Sequence, residues 1–265
     1  MMIEKKNRLP ILMTASISTN GMKGACFTDE EREMMYLQTL QFYIRAFKDK
    51  GQKIVFVDNS GWDMEAFKAK LPVTDFVEYI SLDKNMFDIS KGKGYNELLL
   101  INLAVEQSRF IKDAGGFFKV TGRYPIYNLD YFVTKSSKYI ANGGQFYGDM
   151  KDHKLYDWLH LGWNGHSGEA RLFGCRNEWY MRNLGSRYTE LNDSQGRIVE
   201  NLLFDVLKQT NDNVSKRFDC EPYFAGLDGS DGNAIFFSKN QDDVKGKIKR
   251  YVGNAIRILM PWFWF

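Results

Sequence analysis

Three short polar clusters, each placed where an apolar run ends or a helix begins, carry the side chains best suited to an anionic ligand. The first is Asp58-Asn59-Ser60-Gly61, which follows the apolar run 54–57. A carboxylate there accepts from a ribose hydroxyl or a base N–H, or instead caps the helix expected around Met64 to Phe67. The second is Lys91-Gly92-Lys93-Gly94-Tyr95-Asn96-Glu97, at the start of a helical pattern carried by Leu98, Leu99, Leu103 and Ala104. Its glycines permit close backbone approach, its lysines add charge, and a helix N-terminus favours phosphate. The Gly-x4-Gly-Lys-Ser/Thr spacing of a Walker A loop is absent. The third is Lys119-Val120-Thr121-Gly122-Arg123-Tyr124. A fixed guanidinium such as that of Arg123 neutralises phosphate and grips it bidentately without a metal. Two acids lie further on, Asp149 and Glu200, and the second falls in the first turn of a helical pattern, where the dipole keeps it ionised.

The elements that must position these groups alternate. Leu9 to Ser16 reads as a strand with a polar loop, Thr14 to Gly21, at its carboxyl end; Thr14 and Ser16 lie in that loop. Thr28 with Glu31 forms a capping-box pattern. It opens a helix in which Met34, Leu37, Leu40, Tyr43, Ile44 and Phe47 recur at helical spacing, with Met34 and Met35 as core filler. Strands are expected at 53–58, 77–82 and 117–120, the last ending before Pro125. Ligands of open α/β sheets bind beyond the carboxyl ends of such strands, and Thr121 to Tyr124 fit that placement. In the second half, Gln145 to Asp149 reads as a strand delivering Asp149, and Arg171 to Tyr180 as a strand turning into a helix. The stretch 196–207 is amphipathic, with Ile198, Val199, Leu202, Leu203 and Val206 inward. His153, His160 and His166 lack the spacing of a helical metal pair.

Lys119-Val-Thr-Gly-Arg-Tyr124, followed by Asn128-Leu-Asp-Tyr-Phe132, resembles the segment of GT-A-type glycosyltransferases that carries the Asp-x-Asp motif. Thr121, Gly122 and Arg123 stand where the metal-holding acids would be. The resemblance therefore implies a sugar transferase whose metal is replaced by positive side chains, with no metal and no cofactor. Asp58-Asn-Ser-Gly61 is similar to the early strand of inverting GT-A enzymes, in which an acid meets the nucleoside, and the Lys/Gly loop precedes the third cluster in the family's order. By that match the donor site comprises Thr14, Ser16, Asp58, Asn59, Ser60, Lys91, Lys93, Gly94, Tyr95, Lys119, Thr121, Gly122 and Arg123. The inverting mechanism needs a carboxylate base for the acceptor hydroxyl, and the resemblance assigns Glu200 first and Asp149 second. The likeness extends in motif order over residues 9 to 210. It implies a mostly parallel central sheet flanked by helices, with a nucleotide-binding half at 9–132, an acceptor half at 133–244 and a tail at 245–265.

Composition narrows the remaining classes. The chain has 265 residues, 44% hydrophobic and 15% aromatic, enough to bury a core. A formal charge of +3 gives no reason to expect nucleic acid as a partner. Three cysteines, Cys26, Cys175 and Cys220, form neither a disulfide framework nor a zinc pattern and fit a reducing cytoplasm. The first residues lack the apolar core of a signal peptide, and no run reaches spanning length. From Lys245 onward, Lys245, Lys247, Lys249, Arg250 and Arg257 alternate with apolar residues before Trp262 and Trp264. That pattern reads as a basic amphipathic helix that lies on an anionic membrane, or that packs on the domain. The expectation is a nucleotide-sugar transferase acting on a glycan or lipid-linked acceptor in surface-polysaccharide synthesis, on the cytoplasmic face of the cell membrane. A nucleotidyltransferase making an activated sugar, and a membrane-bound binding module without turnover, are the alternatives.

Overall fold

The structure, a computed structural model, describes residues 8–21, 26–154, 158–159, 165–225 and 244–260. Strands and helices alternate through the first half: β1 (Ile11–Ala15), α1 (Asp29–Phe47), β2 (Ile54–Asp58), α2 (Met64–Ala69), β3 (Val77–Ser81), α3 (Lys93–Gln107), α4 (Arg109–Ala114), β4 (Gly116–Thr121) and α5 (Leu129–Ala141). The second half contributes β5 (Phe146–Tyr147), β6 (Met150–Asp152), β7 (His166–Gly168), β8 (Leu172–Arg176), α6 (Asn177–Asn183), α7 (Val199–Gln209), β9 (Val214–Ser215) and α8 (Val244–Leu259).

Seven strands form one sheet in the order β3-β2-β1-β4-β8-β5-β9. Pairs β3–β2, β2–β1, β1–β4 and β5–β9 are parallel, whereas β8 is antiparallel to both β4 and β5. One strand thus opposes the rest. Every residue of β1 and β2 is buried, as expected of a sheet covered on both faces. Alternate side chains feed two cores. Ile11, Met13, Phe56, Phe118 and Val120 pack with Leu40, Tyr43, Phe47 and Phe132 on one side. Leu12, Val55, Val57 and Phe117 pack with Leu98, Ile101, Trp179 and Leu203 on the other.

The chain builds outward from β1 to β3, then returns to place β4 on the other side of β1. This reversal opens a crevice between the carboxyl ends of β1 and β4, the position at which open α/β sheets receive ligands. The Thr28–Glu31 capping box is formed in both directions and fixes the start of α1. Met34 departs from expectation: it is exposed on α1, and the inward face carries Tyr36, Thr39, Leu40 and Tyr43. Ile198 is likewise outside the core, at the mouth of the crevice just before α7.

Candidate active site

A cleft of about 750 Å³ occupies the crevice. Its walls come from the β1 exit (Thr14, Ser16), Asn59, Lys84, Asn85, the start of α3 (Lys93, Gly94, Glu97), the β4 exit (Thr121, Arg123), Arg171, Asp193 and Glu200. Two crossings set this geometry. The Gly122 amide donates to the Thr14 carbonyl at 2.9 Å, and a Cβ at Gly122 would lie 2.8 Å from that oxygen. Only a residue without a side chain brings the two exits so close. The β1 loop is braced from behind by buried Arg32, whose Nε donates to the carbonyls of Ser16 and Ile17 at 2.9 and 3.0 Å.

Asp58 also shapes this loop, and in doing so departs from the expected nucleoside contact. It is fully buried, accepts from Ile17 N at 2.9 Å and from Ser60 N and Oγ at 2.8 and 2.7 Å, and does not line the cleft. Burial raises its pKa despite those donors. The helix-cap alternative fails as well, since α2 is capped by Asp63. Asn59 is the member of this cluster that reaches the cleft, held by Ser16 Oγ donating to its Oδ1 at 2.5 Å. Ser60 is spent on Asp58.

The Lys/Gly loop divides in the same way. Lys93 and Gly94 line the cleft, whereas Lys91 closes a short 3-10 turn outside it, and Tyr95 packs edge-on to Tyr188 with centroids 5.1 Å apart. The expected phosphate seat at the α3 N-terminus already holds an anion from the chain itself. Asp193 Oδ2 accepts from Lys93 N at 2.6 Å, and the second oxygen, Oδ1, is buried with no hydrogen-bond partner. Gly92 makes room for it, with φ +91° and a would-be Cβ 2.5 Å from the Asp193 carboxyl carbon. Nothing in the sequence ties position 193 to position 92; the contact exists only through the fold.

At the β4 exit, Lys119 is completely buried and faces an acid, not the cleft. Its Nζ lies 2.7 Å from Glu97 Oε1 and donates to the Ala170 carbonyl at 2.7 Å and Thr121 Oγ1 at 3.1 Å. Thr14 Oγ1 donates to the same Glu97 oxygen at 3.1 Å. Lys119 therefore anchors the polar floor of the cleft. Arg123 does reach the cleft, and its Nη1 is buried without a hydrogen-bond partner. The guanidinium lies 5.8 Å from the Tyr124 ring centroid. A buried, unsatisfied cationic donor in a cleft is a strong attractor for an anion.

Glu200 sits in the first turn of α7 and lines the cleft. Its pKa is raised, first by burial and then by the neighbouring charges of Glu97 and Glu169, with Lys119 opposing them. Glu169 behaves differently: burial would raise it, but Arg171, with Nε 2.7 Å from its Oε1, holds it low. The second candidate base, Asp149, is not in the cleft. It is buried against Arg257 at 2.9 Å and accepts from Phe218 N at 3.1 Å. It fastens α8 to the domain. Among the predicted residues, then, Thr14, Ser16, Asn59, Lys93, Gly94, Thr121, Arg123 and Glu200 converge, while Asp58, Ser60, Lys91, Tyr95, Lys119, Gly122 and Asp149 act behind or outside the cleft. The sequence reading missed Lys84 and Asn85, which the position just beyond β3 marks by the same strand-end rule. It also gave no role to Glu97, Arg171 and Asp193.

The β4 exit itself, Thr121 to Tyr124, offers a hydroxyl and a guanidinium and no carboxylate, a donor set that does not suit a divalent cation. Among the described residues no three His, Cys, Asp or Glu side chains converge on a metal-sized site. His160 and Trp163 lie outside the described residues; His153 is buried.

No protein-family model and no curated protein sequence matches the chain. Solved structures do. The mannosyltransferase Ktr4p from S. cerevisiae aligns over 92% of this chain and 77% of its own, with TM-score 0.51 and 11% identity. A Desulfovibrio desulfuricans G20 protein described as a nucleotide-diphospho-sugar transferase aligns over 97% of this chain and 98% of its own, with TM-score 0.50 and 12% identity. The chain has the GT-A fold. A more distant likeness, TM-score 0.45 and 10% identity over 95% of this chain and 64% of the other, is to a Pyrobaculum calidifontis mannosyltransferase solved with GDP-mannose and Mn2+. At these identities the resemblance is one of architecture.

Proposed function

We propose that this GT-A chain is an inverting glycosyltransferase that takes a sugar from a nucleotide donor without help from a metal. The observation that carries the reading is the unpartnered, buried Nη1 of Arg123 in a cleft that also holds Glu200. Arg123 and Lys93 receive the diphosphate, and Arg123 offsets the charge that grows on it as the bond to the sugar breaks. Asn59, Asn85 and the β1 loop receive the nucleoside. Glu200 takes the proton of the acceptor hydroxyl as its oxygen bonds to the anomeric carbon and the nucleoside diphosphate departs with the electron pair of the broken C–O bond. A raised pKa suits this role, because it makes the carboxylate a better proton acceptor. The acceptor is a glycan or lipid-linked sugar of surface-polysaccharide synthesis, and the enzyme works on the cytoplasmic face of the cell membrane.

The test is a thermal-shift screen against UDP-, GDP-, CMP- and dTDP-sugars, followed by turnover of the stabilising donor with and without EDTA. Turnover that survives EDTA and falls roughly 10²–10⁴-fold in E200Q, with donor binding kept, is the expected result. Activity lost to EDTA and restored by Mn2+ refutes the metal-free site. Binding without any turnover marks a recognition module, and release of pyrophosphate from sugar phosphate and nucleoside triphosphate marks a nucleotidyltransferase.

A further inference from the structure

Helix α8 is amphipathic in the reverse of the usual sense. The face turned to the domain is polar: Arg257 pairs with Asp149 at 2.9 Å and donates to the Phe218 carbonyl at 3.3 Å, Asn254 Oδ1 accepts from Glu221 N at 3.0 Å, and the Arg250 guanidinium lies 4.3 Å from the Tyr223 ring centroid. Positions 250, 253, 254 and 257 recur three and four apart, so they share one side. The opposite side is apolar and open. Ile248, Tyr251, Val252, Ile258 and Leu259 are exposed, Tyr251 by 74% and Leu259 by 73%, with Ala255 between them. A soluble domain ordinarily turns such a stripe inward. Here the ion pair fixes it outward, since Arg257 and Asp149 are nearly buried at 13% and 9% side-chain exposure.

We infer that the outer stripe of α8 is a lipid-binding surface that lies flat in the headgroup layer of an anionic bilayer. Charge decides against a second copy of the same helix. Besides Arg250 and Arg257, the segment Val244–Leu259 contains three lysines and no acid, so self-pairing would bring like charges together, whereas acidic headgroups complement them. Arg257 and Arg250 are directed at the domain and are not the groups that meet the lipid, a correction to the expectation that all five cations serve the membrane. Exposed Lys247 flanks the stripe. Sixteen residues span about 24 Å, less than a ~30 Å hydrocarbon layer, and no described helix is long and apolar enough to cross a membrane. The helix therefore lies on the surface. Trp262 and Trp264 fall outside the described residues.

This inference deepens the membrane placement proposed above but does not depend on the transfer chemistry, because lipid binding is read without turnover. The full chain is sedimented with vesicles of phosphatidylcholine alone and of phosphatidylcholine mixed with phosphatidylglycerol, at about 0.1 and 0.5 M NaCl. Wild type is expected to pellet with the anionic vesicles and to lose several-fold in partitioning at the higher salt. The variant Y251E/I258E, altered only at exposed positions, is expected to bind them at least ~10-fold more weakly at an unchanged Tm. Absence of wild-type binding, or equal binding by the variant, overturns the inference. So does a concentration-dependent dimer in light scattering that the variant dissolves. An enzyme that is inactive on every donor yet binds lipid leaves this inference standing and removes only the transferase reading.

Discussion

Replacing Arg123 by Met should produce two effects of opposite sign. In the ligand-free protein Nη1 is buried and unpartnered, a desolvation cost of about 1–3 kcal/mol. Methionine keeps much of the aliphatic stem and removes that cost. What is lost is the contact of the guanidinium with Tyr124 at 5.8 Å, about 0.5–1 kcal/mol. The balance is roughly 0–2 kcal/mol in favour of the variant, or about 0 to +6 °C in Tm for a chain of this size. The donor complex moves the other way. Loss of a charge-assisted contact to the diphosphate costs about 1.5–3 kcal/mol, roughly 10- to 150-fold in Kd. Calorimetric titration with a nucleoside diphosphate, beside the bare nucleoside as control, reads the second effect, and differential scanning reads the first. Nucleoside affinity should be unchanged, because the lost contact is to phosphate. A fall in Tm of more than about 3 °C, or unaltered diphosphate affinity, refutes the idea that Arg123 is held ready for an anion.

Two further outcomes follow from the buried charges. Glu200 must be ionised to accept a proton, so its raised pKa should place the acid limb of the rate profile above the ordinary carboxylate range. In E97Q the repulsion from Glu97 disappears while burial and Glu169 still raise Glu200 and Lys119 still lowers it, so the limb should move to lower pH; a limb that stays put would show that another group sets it. Arg257→Met should cost about 3 kcal/mol near neutral pH, since it takes the ion-pair partner from buried Asp149 and leaves only the Phe218 N–H and the charge of Arg217 to offset it. Burial already raises Asp149, and without Arg257 its folded pKa rises further. The folded variant then holds a proton that the unfolded chain releases, so the penalty should grow as pH rises through that pKa and shrink below it. Urea melts giving equal penalties at pH 5 and pH 8 would contradict this.

The fold was legible because its signals are local. Buried runs at 54–57 and 117–120, the Thr28–Glu31 box and the amphipathic spacing of 196–207 each depend on neighbours within a few residues, and the corresponding strands and helices are present, the last starting at Val199. Strand ends were legible for the same reason, and they brought Thr14, Asn59, Thr121 and Arg123 to one cleft. Side-chain direction was not legible. Lys119 and Arg123 are four residues apart and alike in charge, yet one is sealed under the floor and the other faces the cleft. Position 119 is within β4, which is buried on both faces; position 123 is beyond the strand, where Gly122 brings the exit against Thr14. Met34 shows the same limit on a helix: it is exposed although Arg32 and Tyr36, two residues either side, are buried.

The site also shows why a motif's charge is weaker evidence than its unmet hydrogen bonds. The Lys/Gly loop has the composition of a phosphate seat, but its leading backbone N–H is satisfied by Asp193, an acid that arrives from a hundred residues away. Asp58 has the composition of a nucleoside contact, but its lone pairs are taken by Ile17 and Ser60. Each group balanced within the chain gains little from a ligand, because a new bond replaces an old one. Arg123 is different: its donor is already desolvated and has nothing to give up. An incoming phosphate would therefore realise nearly the whole of that contact, and Arg123, with Lys84 and Lys93 also lining the cleft, would favour an anion there.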